Sequence, residues 1–141
     1  MTNPAAERYS RQVLLKEWGE AGQRALSEAH FVVIGAGGIG SPALLALAEA
    51  GAGRITVIDS DTVDETNLPR QILHIPARIG MNKAESAKRM LSDITPDVPV
   101  TAVAERADDA LLARLLDEKS ILLDCSDNFI PPMERRKFSK N

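Results

Sequence analysis

The sequence has very few of the residues that mark several common classes of protein. It contains one cysteine, Cys125, in 141 residues, which excludes an internal disulfide and fits a reducing cytoplasm. No apolar run approaches the roughly 18 residues of a membrane span, and the amino terminus lacks the basic segment and apolar run of a signal peptide. We therefore expect a soluble, cytoplasmic protein without a membrane partner.

An excess of charge of one sign is also missing. The net charge is −3, from 17 basic and 20 acidic residues, so bulk electrostatics gives no reason to expect nucleic acid as a partner. Apolar residues make up 44% and charged residues 26% of the chain, which is the balance of an ordinary globular protein. The length is sufficient for one domain with one sizeable core.

Short apolar runs on either side of a helical stretch predict the first structural unit. Phe31–Ile34 stops at a glycine cluster, and Ile55–Ile58 stops at Asp59. Runs that are apolar on both faces suit strands buried inside a parallel sheet. Between them, Ser41 is expected to cap a helix and Gly51 to end it. The result is a strand–helix–strand unit whose crossover should be right-handed.

The same patterns continue along the chain. They predict strands over residues 98–104 and 121–123, and helices over residues 18–29 and 83–94 and from Asp108 onward. We therefore predict a Rossmann-like, mostly parallel α/β sheet with helices on both faces, incomplete at its C-terminal side. Because a last strand without a neighbour would leave an open edge, the isolated chain is expected to be marginally stable or to need a partner.

The glycine cluster carries the clearest chemical signal. Gly35–Gly40 matches the pattern G-x-G-x-x-G between a strand and a helix. Gly35 permits the tight turn, Gly37 lets backbone approach a phosphate, and Gly40 allows close packing of helix and sheet. Asp59 ends the second strand, where it can accept hydrogen bonds from ribose hydroxyls. The pattern predicts a nucleotide site, but it does not distinguish NAD from ATP.

The polar stretch from Ser60 to Ile79 is too long for a simple connection and is expected to be functional or disordered. Acidic residues and cations are concentrated around it, namely Asp59, Asp61, Asp64, Glu65, Asn67, Arg70 and Lys83. Fixed cations suit phosphates, and carboxylates suit a divalent metal. Taken singly, each of these residues is also explained as a solvated loop charge.

Several segments occur together in one order and are distinctive as a set. They are Arg8–Leu15, the glycine loop, Asp59–Val63, Asn67–Leu73 and Asp124–Asn128. This set resembles the ThiF/MoeB/HesA family, relatives of the ubiquitin-activating enzymes, and in particular the bacterial enzymes that activate sulfur carriers for thiamine or molybdopterin synthesis. The resemblance implies an adenylyltransferase, a nucleotidyltransferase that uses Mg-ATP to activate the C-terminal glycine of a ubiquitin-like sulfur-carrier protein. It also implies a homodimer.

The resemblance also implies roles for individual residues. Nucleotide contacts fall to Gly35, Gly37, Gly38, Gly40, Asp59, Asn67, Arg70, Lys83, Asp127 and Asn128. Among these, Arg70 and Lys83 would face phosphates, and Asp127 would help to place Mg²⁺. Arg11 would reach into the site of the neighbouring subunit. The catalytic set is therefore Arg11, Arg70, Lys83 and Asp127.

We therefore divide the chain into an N-terminal helical segment over residues 1–29, a partial Rossmann-like ATP-binding domain over residues 30–128 and a tail over residues 129–141, where the composition changes. The chain departs from the family at Pro69, where glutamine is usual, and at Met81–Asn82, where an arginine–proline pair is common. The nucleophilic cysteine and the C-x-x-C zinc ligands that lie downstream in the family do not occur, so its zinc site is absent from this sequence.

Two other functions remain open on the sequence alone. One is a non-catalytic module for dimerisation or interaction, and the other is an NAD-dependent oxidoreductase. Cys125 is expected to be a packed core thiol rather than a nucleophile. His30 and His74 are interpreted as surface or hydrogen-bonded histidines rather than metal ligands. Trp18 is interpreted as a core or subunit-contact aromatic.

Overall fold

Strands and helices alternate along residues 4–127, the part of the chain that the computed structural model describes. The strands are β1 His30–Ile34, β2 Arg54–Ile58, β3 Val100–Val103 and β4 Ser120–Asp124. The helices are α1 Pro4–Arg8, α2 Ser10–Val13, α3 Gly19–Glu28, α4 Gly40–Ala50, α5 Lys83–Ile94 and α6 Asp109–Leu115. Two 3-10 turns, Glu65–Asn67 and Pro76–Arg78, lie between β2 and α5.

The strands form one parallel sheet in the order β3-β2-β1-β4. At the end of β1, Ile34 lies opposite Ile58 of β2 and Asp124 of β4. The chain therefore leaves β1 toward β2 on one side and reaches β4 on the other, so the order of the sheet reverses at β1. Within residues 4–127, β4 pairs only with β1, and its Ile121 is exposed.

Both faces of the sheet carry helices, because the strand side chains alternate between two apolar clusters. Val33 belongs to the larger cluster with Leu44 of α4 and Leu91 of α5. Val32 belongs to the smaller cluster with Leu111 of α6. The predicted Rossmann-like sheet with helices on both faces is confirmed. None of the helices between residues 4 and 127 combines the length and the apolarity needed to cross a membrane.

The ends of the helices follow local capping chemistry, with one correction. Gly51 ends α4 with a left-handed backbone, as predicted. The helix predicted from Asp108 onward begins at Asp109, and the Asp108 side chain caps it by accepting from the N–H of Leu111. The prediction that Ser41 caps α4 is wrong, since the helix already begins at Gly40. The Ser41 hydroxyl is instead buried in the first turn without a hydrogen-bond partner.

The N-terminal helices are fixed to the C-terminal end of α4. Both Gln12 Nε2 and Gln23 Nε2 donate to the carbonyl oxygen of Ala50, at 2.7 and 3.0 Å. They thereby satisfy a carbonyl group that a helix end leaves free. Trp18 is half-buried and donates its Nε1–H to Gln23 Oε1 at 3.2 Å. The division at residue 29 stays a prediction, and the predicted tail lies outside the described residues.

Candidate nucleotide site

The candidate site lies at the carboxyl edge of the sheet. The glycine loop follows β1, Asp59 follows β2, and the segment from Cys125 to Asp127 follows β4. Because these three strands are parallel neighbours in register, the loops meet at one edge. Ligands of open parallel sheets bind at this edge, where the strand order reverses.

The outer glycines of the loop are required by the packing of the fold itself. Gly35 has a φ of 97°, and a Cβ placed there would lie 2.8 Å from the carbonyl oxygen of Cys125. A Cβ at Gly40 would collide with the carbonyl oxygen of Gly35. Any larger residue at these two positions therefore forces backbone apart.

The inner glycines of the loop are not required by such contacts. A Cβ at Gly38 would meet nothing nearer than the Cδ atom of Arg70, at 4.0 Å. A Cβ at Gly37 would lie 3.4 Å from the Nε2 atom of Gln71. Neither glycine has a positive φ. Their Cα atoms are therefore open to the approach of another molecule, as a phosphate-binding backbone requires.

The peptide groups of Ala36 are held on both sides by side chains. Its N–H donates to Asp59 Oδ2 at 2.9 Å, and its carbonyl oxygen accepts from His74 Nε2 at 2.6 Å. The other oxygen of Asp59 accepts from the N–H of Asp61 at 2.9 Å. A carboxylate has about four acceptor positions, so Asp59 can order the loop and still accept bonds from ribose hydroxyls.

His74 is buried, which corrects the surface alternative, and it is hydrogen-bonded as predicted. Its Nε2 carries the proton that is donated to Ala36, and its Nδ1 lies 2.8 Å from the hydroxyl of the buried Ser86. Burial is the main cause that lowers the pKa of His74; the bond to Ala36 opposes the shift and the charge of Lys83 adds to it. The ring is therefore neutral near pH 7, and its Nδ1 accepts from Ser86.

Lys83 is a buried cation at the start of α5. Its backbone N–H donates to the Asp61 carbonyl at 2.8 Å, and the residue as a whole is 9% exposed. The ion pairs found within residues 4–127 involve other residues, so no carboxylate neutralises Lys83 there. Buried charges are normally paired. The environment of Lys83 therefore suits a bound anion.

Asn82 fixes the position of Lys83. Its Oδ1 accepts from the N–H of Glu85 at 3.1 Å and caps α5. Its Nδ2 donates to the carbonyl of Asp59 at 2.8 Å and to that of Asp61 at 3.2 Å. The residue that stands where the family commonly has proline thus ties the start of α5 to the end of β2.

The segment between β2 and α5 is folded against the site rather than being an open loop. Val63 and Leu73 are buried in it. Asn67 Oδ1 accepts from the N–H of Asp64 at 3.0 Å, which completes a capping box around the first 3-10 turn. The Asn67 amide nitrogen makes no hydrogen bond within residues 4–127.

The segment after β4 is the third loop at the carboxyl edge of the sheet. The N–H of Cys125 donates to Ile34 at 2.8 Å and extends the pairing of β1 with β4. Burial is the main cause that raises the pKa of the Cys125 thiol, with a contribution from Asp124. A protonated, half-buried thiol supports the prediction of a packed residue rather than a nucleophile.

The structure brings most of the predicted site residues together, but not all of them. Asp127 is exposed three residues beyond β4, and Asn128 lies outside the described residues. Among residues 4–127, no group of three His, Cys, Asp or Glu side chains is placed to hold a metal ion. Arg11 lies next to Gln12, which bonds the end of α4 that is remote from the glycine loop.

Sequence reasoning assigned no role to Gln71, His74 or Ser86, although all three are buried around the glycine loop. No local pattern in the sequence distinguishes them from the other polar residues in and around the segment between β2 and α5. Gln71 follows Arg70 within a distinctive block, but its burial depends on how the whole segment folds back onto the loop.

The parallel sheet with helices on both faces defines a Rossmann-like α/β domain whose strand order reverses at β1. Comparison with known families matches residues 9–136 to the ThiF family. The chain belongs to the ThiF family.

Individual relatives extend this result. The molybdopterin-synthase adenylyltransferase of Escherichia coli strain K12 is 44% identical over 121 residues, covering 86% of this chain and 49% of the relative. The SAMP-activating enzyme E1 of Haloferax volcanii is 40% identical over 123 residues, covering 87% and 46%. The chain thus spans about half the length of these curated relatives.

A solved structure supports the fold. The crystal structure of E. coli tRNA N6-threonylcarbamoyladenosine dehydratase, TcdA, in complex with ATP superposes with a TM-score of 0.83 at 31% identity. The match covers 98% of this chain and 59% of that chain.

Proposed function

We propose that the carboxyl edge of this sheet binds Mg-ATP and serves to adenylate the C-terminal carboxylate of a ubiquitin-like sulfur-carrier protein. The observation that carries the proposal is the buried Lys83, which has no carboxylate partner within residues 4–127. The adenylyltransferase name of the E. coli relative and the ATP complex of TcdA support it.

The proposed roles follow from the positions of the residues. The N-terminal end of α4 and the open faces of Gly37 and Gly38 offer N–H groups to the phosphates. Asp59 accepts from the ribose hydroxyls, and Arg70, exposed beside Gly38, adds a cation next to the loop. Asn67 offers its amide nitrogen to the nucleotide.

The proposed reaction moves charge toward these groups. A carboxylate oxygen attacks the α-phosphorus, the bond from that phosphorus to the oxygen leading to the β-phosphate breaks, and pyrophosphate leaves with the electron pair. Negative charge gathers on the phosphates as this happens, and cations held in place beforehand stabilise it without reorganisation. Asp127, with Asn128 next to it in the sequence, would hold Mg²⁺ on the phosphates, and the ion would neutralise part of the same charge.

Arg11 is proposed to act on a second copy of the chain. The adjacent Gln12 is bonded to Ala50, the last residue of α4. The eleven residues of this helix span about 16 Å, which is further than an arginine side chain reaches. Arg11 therefore needs a homodimer in order to contribute to a site.

The test is calorimetric titration of the chain with Mg-ATP, using Lys83→Met and its control Lys88→Met on the exposed side of the same helix. Removing a charge-assisted contact to phosphate should weaken binding by about 30-fold in Lys83→Met. Lys88→Met should bind as the wild type does. Asp59→Ala is a poorer variant, because it also removes the acceptor of the Ala36 N–H.

The outcomes separate the alternatives. Saturable Mg-ATP binding that depends on Lys83 supports the proposal and justifies pyrophosphate-exchange assays with a ubiquitin-like carrier. Binding of NADH in place of ATP would favour the oxidoreductase. A folded wild-type chain that binds neither nucleotide would leave the non-catalytic interaction module as the better account.

A further inference from the structure

Gln71 is a buried amide whose hydrogen-bonding capacity the protein does not use. Its side chain is 2% exposed, and its Oε1 is buried without a partner. Its Nε2 lies 3.4 Å from the position of a Cβ on Gly37 and donates to no acceptor within residues 4–127. The backbone of Gln71 is firmly held, since its N–H donates to Asn67 and its carbonyl accepts from His74.

A space-filling role does not account for an amide at this position. Buried polar groups are nearly always hydrogen-bonded, and each exception requires a reason. Leu73, two residues further on, fills the core with an apolar side chain at 1% exposure. The amide of Gln71 instead places a donor beside the inner, open part of the glycine loop.

A second observation at the same loop points the same way. The hydroxyl of Ser41 is fully buried in the first turn of α4 and also lacks a partner. Its backbone N–H donates to the carbonyl of Gly37 at 2.9 Å. Both residues with an unpartnered buried polar atom therefore lie next to Gly37, Ser41 through its backbone hydrogen bond and Gln71 through its side chain. Polar groups held in place before a ligand arrives need no reorganisation when it binds.

We infer that Gln71 is a ligand-contact residue that donates its Nε2–H to the anionic group bound over Gly37. Resting on the proposed function, this group is a phosphate oxygen of the nucleotide. The donor is fixed on a buried side chain, so it differs from the exposed Arg70 in that it loses little conformational freedom on binding.

The test is Gln71→Met, which keeps the length and volume of the side chain and removes the amide. Since Met removes a buried oxygen that has no partner, the melting temperature should stay the same or rise. The Kd for Mg-ATP and that for AMP should rise about tenfold, the value of one hydrogen bond to a charged group. Gln71→Glu, which replaces the donor by an anion, should weaken binding further.

Gln23→Met is the matched control, because it removes a glutamine amide that bonds Ala50 far from the glycine loop. It should lower the melting temperature and leave both Kd values unchanged. Gln71→Met should thus change the Kd values without lowering the melting temperature, and Gln23→Met should lower the melting temperature without changing the Kd values. A Gln71 with only a structural role would not produce this difference.

Equal Kd values for wild type and Gln71→Met, or a Gln71→Glu variant that binds as the wild type does, would overturn the inference and leave the proposed function standing. A folded wild-type chain that does not bind Mg-ATP would overturn both.

Discussion

The outer and inner glycines of one six-residue loop are glycine for different physical reasons. At Gly35 and Gly40, a side chain would meet backbone of the same chain. At Gly37 and Gly38, the nearest atoms belong to side chains at 3.4 and 4.0 Å, and the space beyond is open. The motif therefore combines two positions that the fold requires with two positions that only a ligand would require.

The largest expected effect is that of Gly40→Ala. Its Cβ would collide with the carbonyl of Gly35, and neither the strand end nor the first turn of α4 can retreat without losing hydrogen bonds. We expect a loss of at least about 3 kcal/mol in the free energy of unfolding, or failure to fold. Urea unfolding and soluble yield measure it, and a variant of wild-type stability would contradict the account of the outer glycines.

Gly38→Ala should show the opposite behaviour. The methyl group has room beside Arg70, and replacing glycine reduces the freedom of the unfolded chain, so the free energy of unfolding should stay within about 1 kcal/mol of the wild type. The methyl group would occupy the face that we assign to phosphate, so the Kd for Mg-ATP should rise about tenfold or more. Calorimetry and urea unfolding on the same preparation check both halves.

The comparison of the glycines would fail in two ways. If Gly38→Ala unfolds the chain, the inner position is also required by packing. If Gly38→Ala binds Mg-ATP as tightly as the wild type, no ligand lies close to that Cα atom.

Much of the fold could be predicted from the sequence because its signals are local. The apolar runs from Phe31 and Ile55 are buried strands, and the helix over residues 83–94 has the predicted bounds. The prediction for Ser41 failed because the helix begins at Gly40, two residues earlier than the Pro42 start that a Ser41 cap would require. The residue at which a helix begins depends on the backbone conformation of its first turn, and composition does not determine it.

The site could be predicted only in part, for a physical reason. The glycine loop and Asp59 are recognisable because strand order alone brings them to one edge of the sheet. Gln71 and His74 become part of the site only when the segment between β2 and α5 folds back over Ala36. Such contacts depend on tertiary packing, and nothing in the neighbouring residues indicates them.

The smallest expected effect is on the pH dependence of stability, and it comes from His74. This histidine donates to the carbonyl of Ala36, the residue between Gly35 and Gly37. Burial lowers the pKa of His74 below its ordinary value of 6.5, and burial followed by the charge of Arg54 lowers that of His30. At a pH between 6.5 and the lowered pKa values of the folded protein, the unfolded chain binds more protons than the folded chain does. The two neutral histidines therefore stabilise the fold fully above pH 6.5, and this contribution to the free energy of unfolding is lost as the pH falls through their pKa values in the folded protein.

His74→Gln, which cannot titrate, should therefore flatten the dependence of the free energy of unfolding on pH below 6.5, by no more than about 1.4 kcal/mol per pH unit. His30→Gln is the matched control, because His30 bonds Thr56 at the other end of the sheet. Both variants should flatten the slope, and only His74→Gln should also weaken Mg-ATP binding. A slope in His74→Gln equal to that of the wild type, measured by urea unfolding across this range, would show that His74 is not the group that links the glycine loop to pH.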